Sequence, residues 1–313
     1  MTSAFTFPGQ GSQAVGMGKA LADAFPEARA VFAEVDDALG QRLSAIMWEG
    51  PEADLTLTEN AQPALMAVSL ATMRVLEARG VRLGGEIAYV AGHSLGEYSA
   101  LAAAGTVSIA DAARLLKIRG RAMQAAVPVG EGAMAALLGL DVAAAVEVAA
   151  AAAQGEVCQA ANDNADGQVV VSGSKAAVER AVLLAKERGA RRAMLLNVSA
   201  PFHCALMQPA ADAMAEALAA VAMRAPSVPV VVNVLAAPVT DPAEIRRRLV
   251  EQVTGTVRWR ESVRWLADHG VTRLFEVGSG KVLTGLVKRI AEGVEGVAVN
   301  TPDDVEKAAA ALA

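Results

Sequence analysis

Histidine, cysteine and aromatic residues are scarce in this chain of 313 residues. The only three histidines are His93, His203 and His269, so chemistry that needs an imidazole must draw on one of them. Two cysteines, Cys158 and Cys204, are too few for a disulfide framework or a cysteine-rich zinc site, and no metal is expected. They fit a reducing compartment, and a cytoplasmic location is expected. Three Trp, two Tyr and six Phe do not furnish a base-stacking surface. Positive charge is also short. Against 34 Asp and Glu stand 28 Lys and Arg, and the net charge of −6 argues against a nucleic-acid partner. Long hydrophobic runs are missing too. The most apolar stretch, around Ala133 to Ala153, is mostly alanine and is interrupted by Asp141 and Glu147, so no membrane partner is expected. Met1 to Pro8 carry no basic targeting segment, the first cation being Lys19.

What the chain has in quantity is apolar residues, at 54%, with 20% charged residues to keep a surface wet. That composition builds a core and excludes global disorder. The length corresponds to about two domains, or one large domain with an insert.

Short apolar runs alternate with helical periodicities, which predicts an α/β fold with a largely parallel sheet. Ala4–Phe7 reads as a first strand stopped by Pro8-Gly9. A long helix from Thr58, its proposed cap, runs to Gly80, and the apolar run 87–91 reads as a buried strand. Helices are expected from Ser108 to about Ala126 and around Met207–Met223. Residues 129–198 read differently. Strands at 133–140, 157–161, 168–172 and 191–198 enclose helices capped by Asp141 and Ser174, with Asn162–Gly167 as a turn. The order β-α-β-β-α-β is that of a ferredoxin-like unit, expected here as a small domain inserted between 1–128 and 199–313.

Gly92-His93-Ser94-Leu95-Gly96 matches G-x-S-x-G, the nucleophile elbow. Side chains two residues either side of such a serine would clash, hence the glycines. An apolar run precedes it and a helix-forming run, Glu97–Ala104, follows, so free helix N–H groups would face a developing oxyanion. A structural serine on a glycine-rich turn is the plainer alternative. A serine needs a base. His93 is its neighbour and points elsewhere, and His269 reads as a helix end before Gly270. His203 lies in a loop after a strand, where α/β proteins place sites, and by elimination is the candidate base. A core or capping histidine is the alternative.

Arg119 stands out by position. Arg114, Lys117, Arg121 and Gln124 recur as one solvent face of their helix, whereas Arg119 aligns with Leu115 and Met123. An arginine on an apolar face needs a fixed anion: a protein carboxylate, or a substrate carboxylate or phosphate gripped bidentately. Gly278-Ser279-Gly280-Lys281 is not a P-loop, because Val282 and Phe275 replace required residues. The loop Gly9-Gln10-Gly11 lacks the context of a dinucleotide site but could offer a backbone N–H to an oxyanion.

Six ordered motifs carry a resemblance: residues 7–13 (FPGQGSQ), 60–64 (NAQPA), 92–97 (GHSLGE), 202–204 (FHC), Glu251-Gln252, and 280–285 (GKVLTG). Together the chain resembles the malonyl-CoA:acyl carrier protein transacylases of fatty acid synthesis and the acyltransferase domains of polyketide synthases. The resemblance implies an α/β-hydrolase-like large domain with the ferredoxin-like insert. It implies ping-pong malonyl transfer with Ser94 as nucleophile, His203 as base and the Gln252 backbone carbonyl orienting that base. The N–H groups of Gln10 and Leu95 would form the oxyanion hole, and Arg119 would grip the malonyl carboxylate. Phe202 resembles malonyl-selective members, and Asn162 and Arg192 match positions near the pantetheine and CoA phosphates. No bound cofactor is implied; malonyl-CoA is substrate, and the partner, an acyl carrier protein, brings its own phosphopantetheine to a monomeric enzyme. A serine thioesterase, or a free-standing polyketide acyltransferase, would share most of these residues. Both expected partners are anionic. Docking them against a negative global charge falls to basic clusters such as Lys186, Arg188, Arg191 and Arg192, or Lys281, Lys288 and Arg289.

Overall fold

Alternating side chains of the first strand divide the large part of the molecule. Phe5 and Phe7 enter the core on one face, while Ala4 belongs to the cluster on the other with Val231, Trp259 and Leu274. The computed structural model describes residues 2–312 and contains ten strands among them. In chain order these are β1 (Thr2–Phe7), β2 (Ile87–Gly92), β3 (Gly132–Leu138), β4 (Cys158–Ala165), β5 (Gln168–Ser174), β6 (Arg192–Leu195), β7 (Val230–Val232), β8 (Ala237–Val239), β9 (Val271–Val277) and β10 (Glu295–Val299).

The larger sheet runs β10-β9-β1-β2-β7-β8, parallel throughout except for β8, which pairs antiparallel with β7. Strand β8 was not expected. It contains Pro238, a strand breaker tolerated because β8 is an edge. The strands β1, β2 and β7 lie side by side and point the same way. Loops after them therefore meet at one carboxyl edge, where open α/β sheets place ligands.

The smaller sheet is antiparallel, in the order β4-β5-β3-β6. Helices Val142–Ala153 and Lys175–Glu187 pack on it around Val148, Val169, Val171 and Val178. Asp141 caps the first helix as expected, accepting from the Ala144 N–H. Ser174 makes no side-chain cap.

Three further expectations are corrected. Of the expected turn Asn162–Gly167 only Asp166 and Gly167 turn, because β4 runs on to Ala165. A segment of the large part extends it: the Val257 N–H donates to Ala161 and its carbonyl accepts from Asp163, both at 2.9 Å. Buried Asp163 also receives the Arg260 guanidinium at 2.8 Å. Thr58 does not cap its helix, Thr58–Ala78; its hydroxyl accepts from Gln10 Nε2 at 3.3 Å instead. Lys117 does not face solvent. It is buried against that same helix and pairs with Glu59 and Asn60. No helix among the described residues is long and apolar enough to cross a membrane.

Candidate active site

The elbow is built by contacts that glycine alone permits. A Cβ on Gly92 would lie 1.9 Å from the Gly96 backbone, and one on Gly96 would lie 2.3 Å from the Phe7 carbonyl oxygen. The turn drives Ser94 into the left-handed region, with φ of 52°. His203 shares that strained conformation at φ 58°. Helix Gly96–Ala103 begins two residues after the serine.

Ser94 Oγ lies 2.8 Å from His203 Nε2, and His203 Nδ1 lies 2.8 Å from the backbone carbonyl of Gln252. A carbonyl only accepts, so Nδ1 carries the proton and Nε2 is left free to accept from the serine hydroxyl. On the other side, Arg119 Nη2 donates to Ser94 Oγ at 3.1 Å and to Gln252 Oε1 at 2.9 Å, and Nη1 donates to Gln62 Oε1 at 2.8 Å. Arg119 is only 1% exposed, as are its helix neighbours Leu115 and Met123. Of the two anions its position called for, no protein carboxylate among the described residues is hydrogen-bonded to it. Its direct polar partners among the described residues are neutral, and Nε has none.

Asn233, at the end of β7, locks the elbow backbone. Its Oδ1 accepts from the Ser94 N–H at 2.8 Å and its Nδ2 donates to the Gly92 carbonyl at 2.7 Å. Behind it, buried Glu97 accepts from the Asn233 N–H at 2.9 Å and from Gln252 Nε2 at 3.0 Å. Burial pushes the Glu97 carboxyl up to about 7. Burial also drives His203 down, to about 3, with the Arg119 charge adding to the effect. A resting imidazole held neutral is a base ready to accept.

A cavity of about 420 Å³ opens over these groups. Gln10, Ser94, Leu95, Arg119, Phe202 and His203 line it from the large sheet side, and Asn162 from β4 lines it from the small one. The N–H groups of Gln10 and Leu95 donate to no protein acceptor among the described residues. Gln252 sits beneath the cavity, fully buried. Arg192 is not brought to it. It lies on a separate surface hollow with Arg191 and Arg289. His269 stacks on Trp265, 3.7 Å between ring centroids, as a helix end. Cys158 and Cys204 are free and buried. No group of three or more His, Cys, Asp or Glu among the described residues could hold a metal.

Sequence reasoning gave no role to Gln62, Asn164, Asn233 or Glu97. Asn233 had a readable signal, a polar residue directly after the apolar strand 230–232. Gln62 also had one, a polar side chain on the buried stretch of an otherwise apolar helix. Asn164, whose Oδ1 meets His93 Nε2 at 2.8 Å, was hidden in the misread turn.

A histidine-paired serine on a strained elbow, beside unengaged backbone N–H groups and a buried guanidinium, is an arrangement able to carry acyl transfer. The chain belongs to the acyl transferase domain family, whose model matches residues 4–302. It is 50% identical over 299 residues to the malonyl CoA-acyl carrier protein transacylase of Escherichia coli K12, covering 96% of each chain. To the enzyme of that name from Bacillus subtilis it is 46% identical over 306 residues, covering 97% of this chain and 95% of the other. The crystal structure of acyl-carrier-protein-S-malonyltransferase from Bartonella henselae superposes with a TM-score of 0.98 at 58% identity, covering 100% and 99%. A malonyl-transacylase solved in complex with a type II polyketide acyl-carrier protein gives 0.96 at 44% identity, covering 99% and 100%.

Proposed function

We propose that Ser94, His203 and Arg119 carry out ping-pong malonyl transfer. The chain is an acyl-carrier-protein S-malonyltransferase, moving malonyl from malonyl-CoA to the phosphopantetheine thiol of an acyl carrier protein in fatty acid biosynthesis. The observation that carries the residue roles is Arg119, a buried cation 3.1 Å from the nucleophile with no carboxylate hydrogen-bonded to it among the described residues. A malonyl carboxylate completes it, as neither an acetyl nor a simple acyl group can.

Ser94 Oγ attacks the thioester carbonyl while His203 Nε2 takes its proton. The oxyanion is received by the N–H groups of Leu95 and Gln10. Collapse breaks the C–S bond, and the departing CoA sulfur takes the proton from His203. The carrier's thiol then enters, gives its proton to His203 and attacks the malonyl-serine ester. The leaving Ser94 oxygen recovers the proton. A thiol pKa of about 8.5 makes the sulfur a good leaving group, so a neutral carbonyl at Gln252 can replace the usual acid behind the histidine. No bound cofactor takes part, since the carrier brings the phosphopantetheine.

The finer architecture fits this reading. The parallel sheet with its elbow is α/β-hydrolase-like. Residues 129–198 form a ferredoxin-like insert, whose strands, taken in their own chain order, lie 2-3-1-4. Phe202, 8% exposed on the cavity wall, disfavours an α-methyl on the acyl group by roughly 1–3 kcal/mol. Asn162 offers its carboxamide to the pantetheine amides. Arg191, Arg192 and Arg289 form a basic patch for CoA phosphates or the acidic carrier. The enzyme works as a cytoplasmic monomer.

Transfer and hydrolysis are separated by one assay. With malonyl-CoA and phosphopantetheinylated carrier, malonyl-carrier is the expected main product, and without carrier turnover stalls after one acylation. Free malonate as the main product in both cases would make the chain a thioesterase.

The low His203 pKa predicts the pH profile. A base works deprotonated, so lowering its pKa moves the acid limb of kcat/KM away from the ordinary imidazole value of about 6.5. Between about pH 5 and 8, kcat/KM for malonyl-CoA is expected to show no inflection from His203. An inflection near 7 that disappears in Glu97→Gln belongs to Glu97; one that persists contradicts the low His203 value.

A further inference from the structure

Glu97 lies under the elbow, 0% exposed, and none of the steps above uses it. Its two hydrogen bonds go to residues that hold the reacting groups. Gln252 accepts Nδ1–H of His203 on its backbone carbonyl and Nη2–H of Arg119 on Oε1, and its Nε2 reaches the Ser94 carbonyl at 3.1 Å as well as Glu97. Asn233 holds Ser94 from the other side.

A guanidinium can only donate. The Glu97 oxygen facing Gln252 also takes the Asn233 N–H and so serves as the acceptor, any proton residing on the unpartnered Oε1. Placed between the two, the Gln252 carboxamide has one orientation, Oε1 toward Arg119 and Nε2 toward Glu97. We infer that Glu97 is a positioning residue: by fixing the Gln252 carboxamide and the Asn233 backbone, it keeps the Arg119 guanidinium and the His203 imidazole in register with Ser94. Without it, Gln252 Nε2 keeps only the longer contacts to the Ser94 carbonyl at 3.1 Å and Asn233 Oδ1 at 3.3 Å, so the carboxamide and the Asn233 backbone are held less firmly. A loosened carboxamide lets the guanidinium move off the line of the malonyl carboxylate.

The acceptor oxygen matters here more than the charge. Oε1 of Glu97 has no hydrogen-bond partner among the described residues, so a proton can reside there while Oε2 keeps both of its donors. Burial favours that protonated form. Glutamine at this position presents one carbonyl oxygen to the same two donors. Methionine fills the volume and presents none.

The test is steady-state transfer to phosphopantetheinylated carrier from malonyl-CoA and from acetyl-CoA, using the whole enzyme. Glu97→Met is expected to lower kcat with malonyl-CoA roughly 10- to 100-fold and to erode the malonyl-over-acetyl preference, with KM for the carrier unchanged. Glu97→Gln is expected to stay within about threefold of wild type in both respects. Wild-type kcat and selectivity in Glu97→Met would overturn the inference. So would a Glu97→Gln enzyme that folds, by circular dichroism, and yet loses kcat or preference as a loss of the acceptor would. The second outcome decides the matter even if Glu97→Met does not fold. The inference rests on the malonyl-transfer reading. Absence of malonyl transfer by the wild-type enzyme refutes that reading, whereas wild-type behaviour of the variants refutes only the role of Glu97.

Discussion

Ser94→Ala is expected to lower malonyl transfer by about 10⁴- to 10⁶-fold and to abolish acylation of the protein by malonyl-CoA. Among the described residues the Ser94 hydroxyl alone is hydrogen-bonded to His203 Nε2, at 2.8 Å, and the variant removes it. The cavity, the Leu95 and Gln10 N–H groups and Arg119 all remain, so malonyl-CoA should still bind. Alanine at φ 52° costs about as much as serine does there, roughly 1 kcal/mol, so a folded protein is expected. Rapid-quench measurement of protein-bound malonyl checks both parts. Transfer above about 1% of wild type would assign the nucleophile elsewhere.

Arg119→Ala is expected to cut kcat/KM for malonyl-CoA by about 10²- to 10³-fold, corresponding to roughly 3–4 kcal/mol for a desolvated charge pair, and to bring malonyl and acetyl transfer to similar rates. A buried guanidinium stays charged, and here the nearest protein acceptors are the amide oxygens of Gln62 and Gln252. The variant also leaves those oxygens short of a donor, so a lower unfolding temperature is expected alongside. Arg119→Lys keeps the charge without the planar fork, and intermediate selectivity is expected. Competition between malonyl-CoA and acetyl-CoA for one carrier measures the ratio directly. An unchanged ratio in Arg119→Ala would refute the carboxylate grip.

Much of the site was legible because its demands are local. The glycines at 92 and 96 are required within one turn, and the structure shows the collisions they avoid. Arg119 was conspicuous within its own helix, since charge on the Leu115–Met123 face needs an explanation whatever packs there. His203 was found because histidine is rare in the chain. What stayed hidden depends on partners remote in sequence. The Asn-Asp-Asn run 162–164 carries the signal of a turn, but the segment around Val257 and Arg260 draws it into a strand by supplying the bonds a turn would make internally. Periodicity put Lys117 in water, whereas Glu59 and Asn60, from a helix nearly sixty residues earlier, cover it. Gln252 entered only through the family resemblance, as a backbone carbonyl. Its side chain, bridging Arg119 to Glu97, joins three distant stretches of chain.

Intact-protein mass spectrometry after incubation with equimolar malonyl-, methylmalonyl- and acetyl-CoA, followed by peptide mapping, tests the central claim most directly. A single malonyl adduct on Ser94, discharged on addition of phosphopantetheinylated carrier, is the predicted result. An adduct on another residue, or an acetyl or methylmalonyl adduct dominating on Ser94, would contradict it.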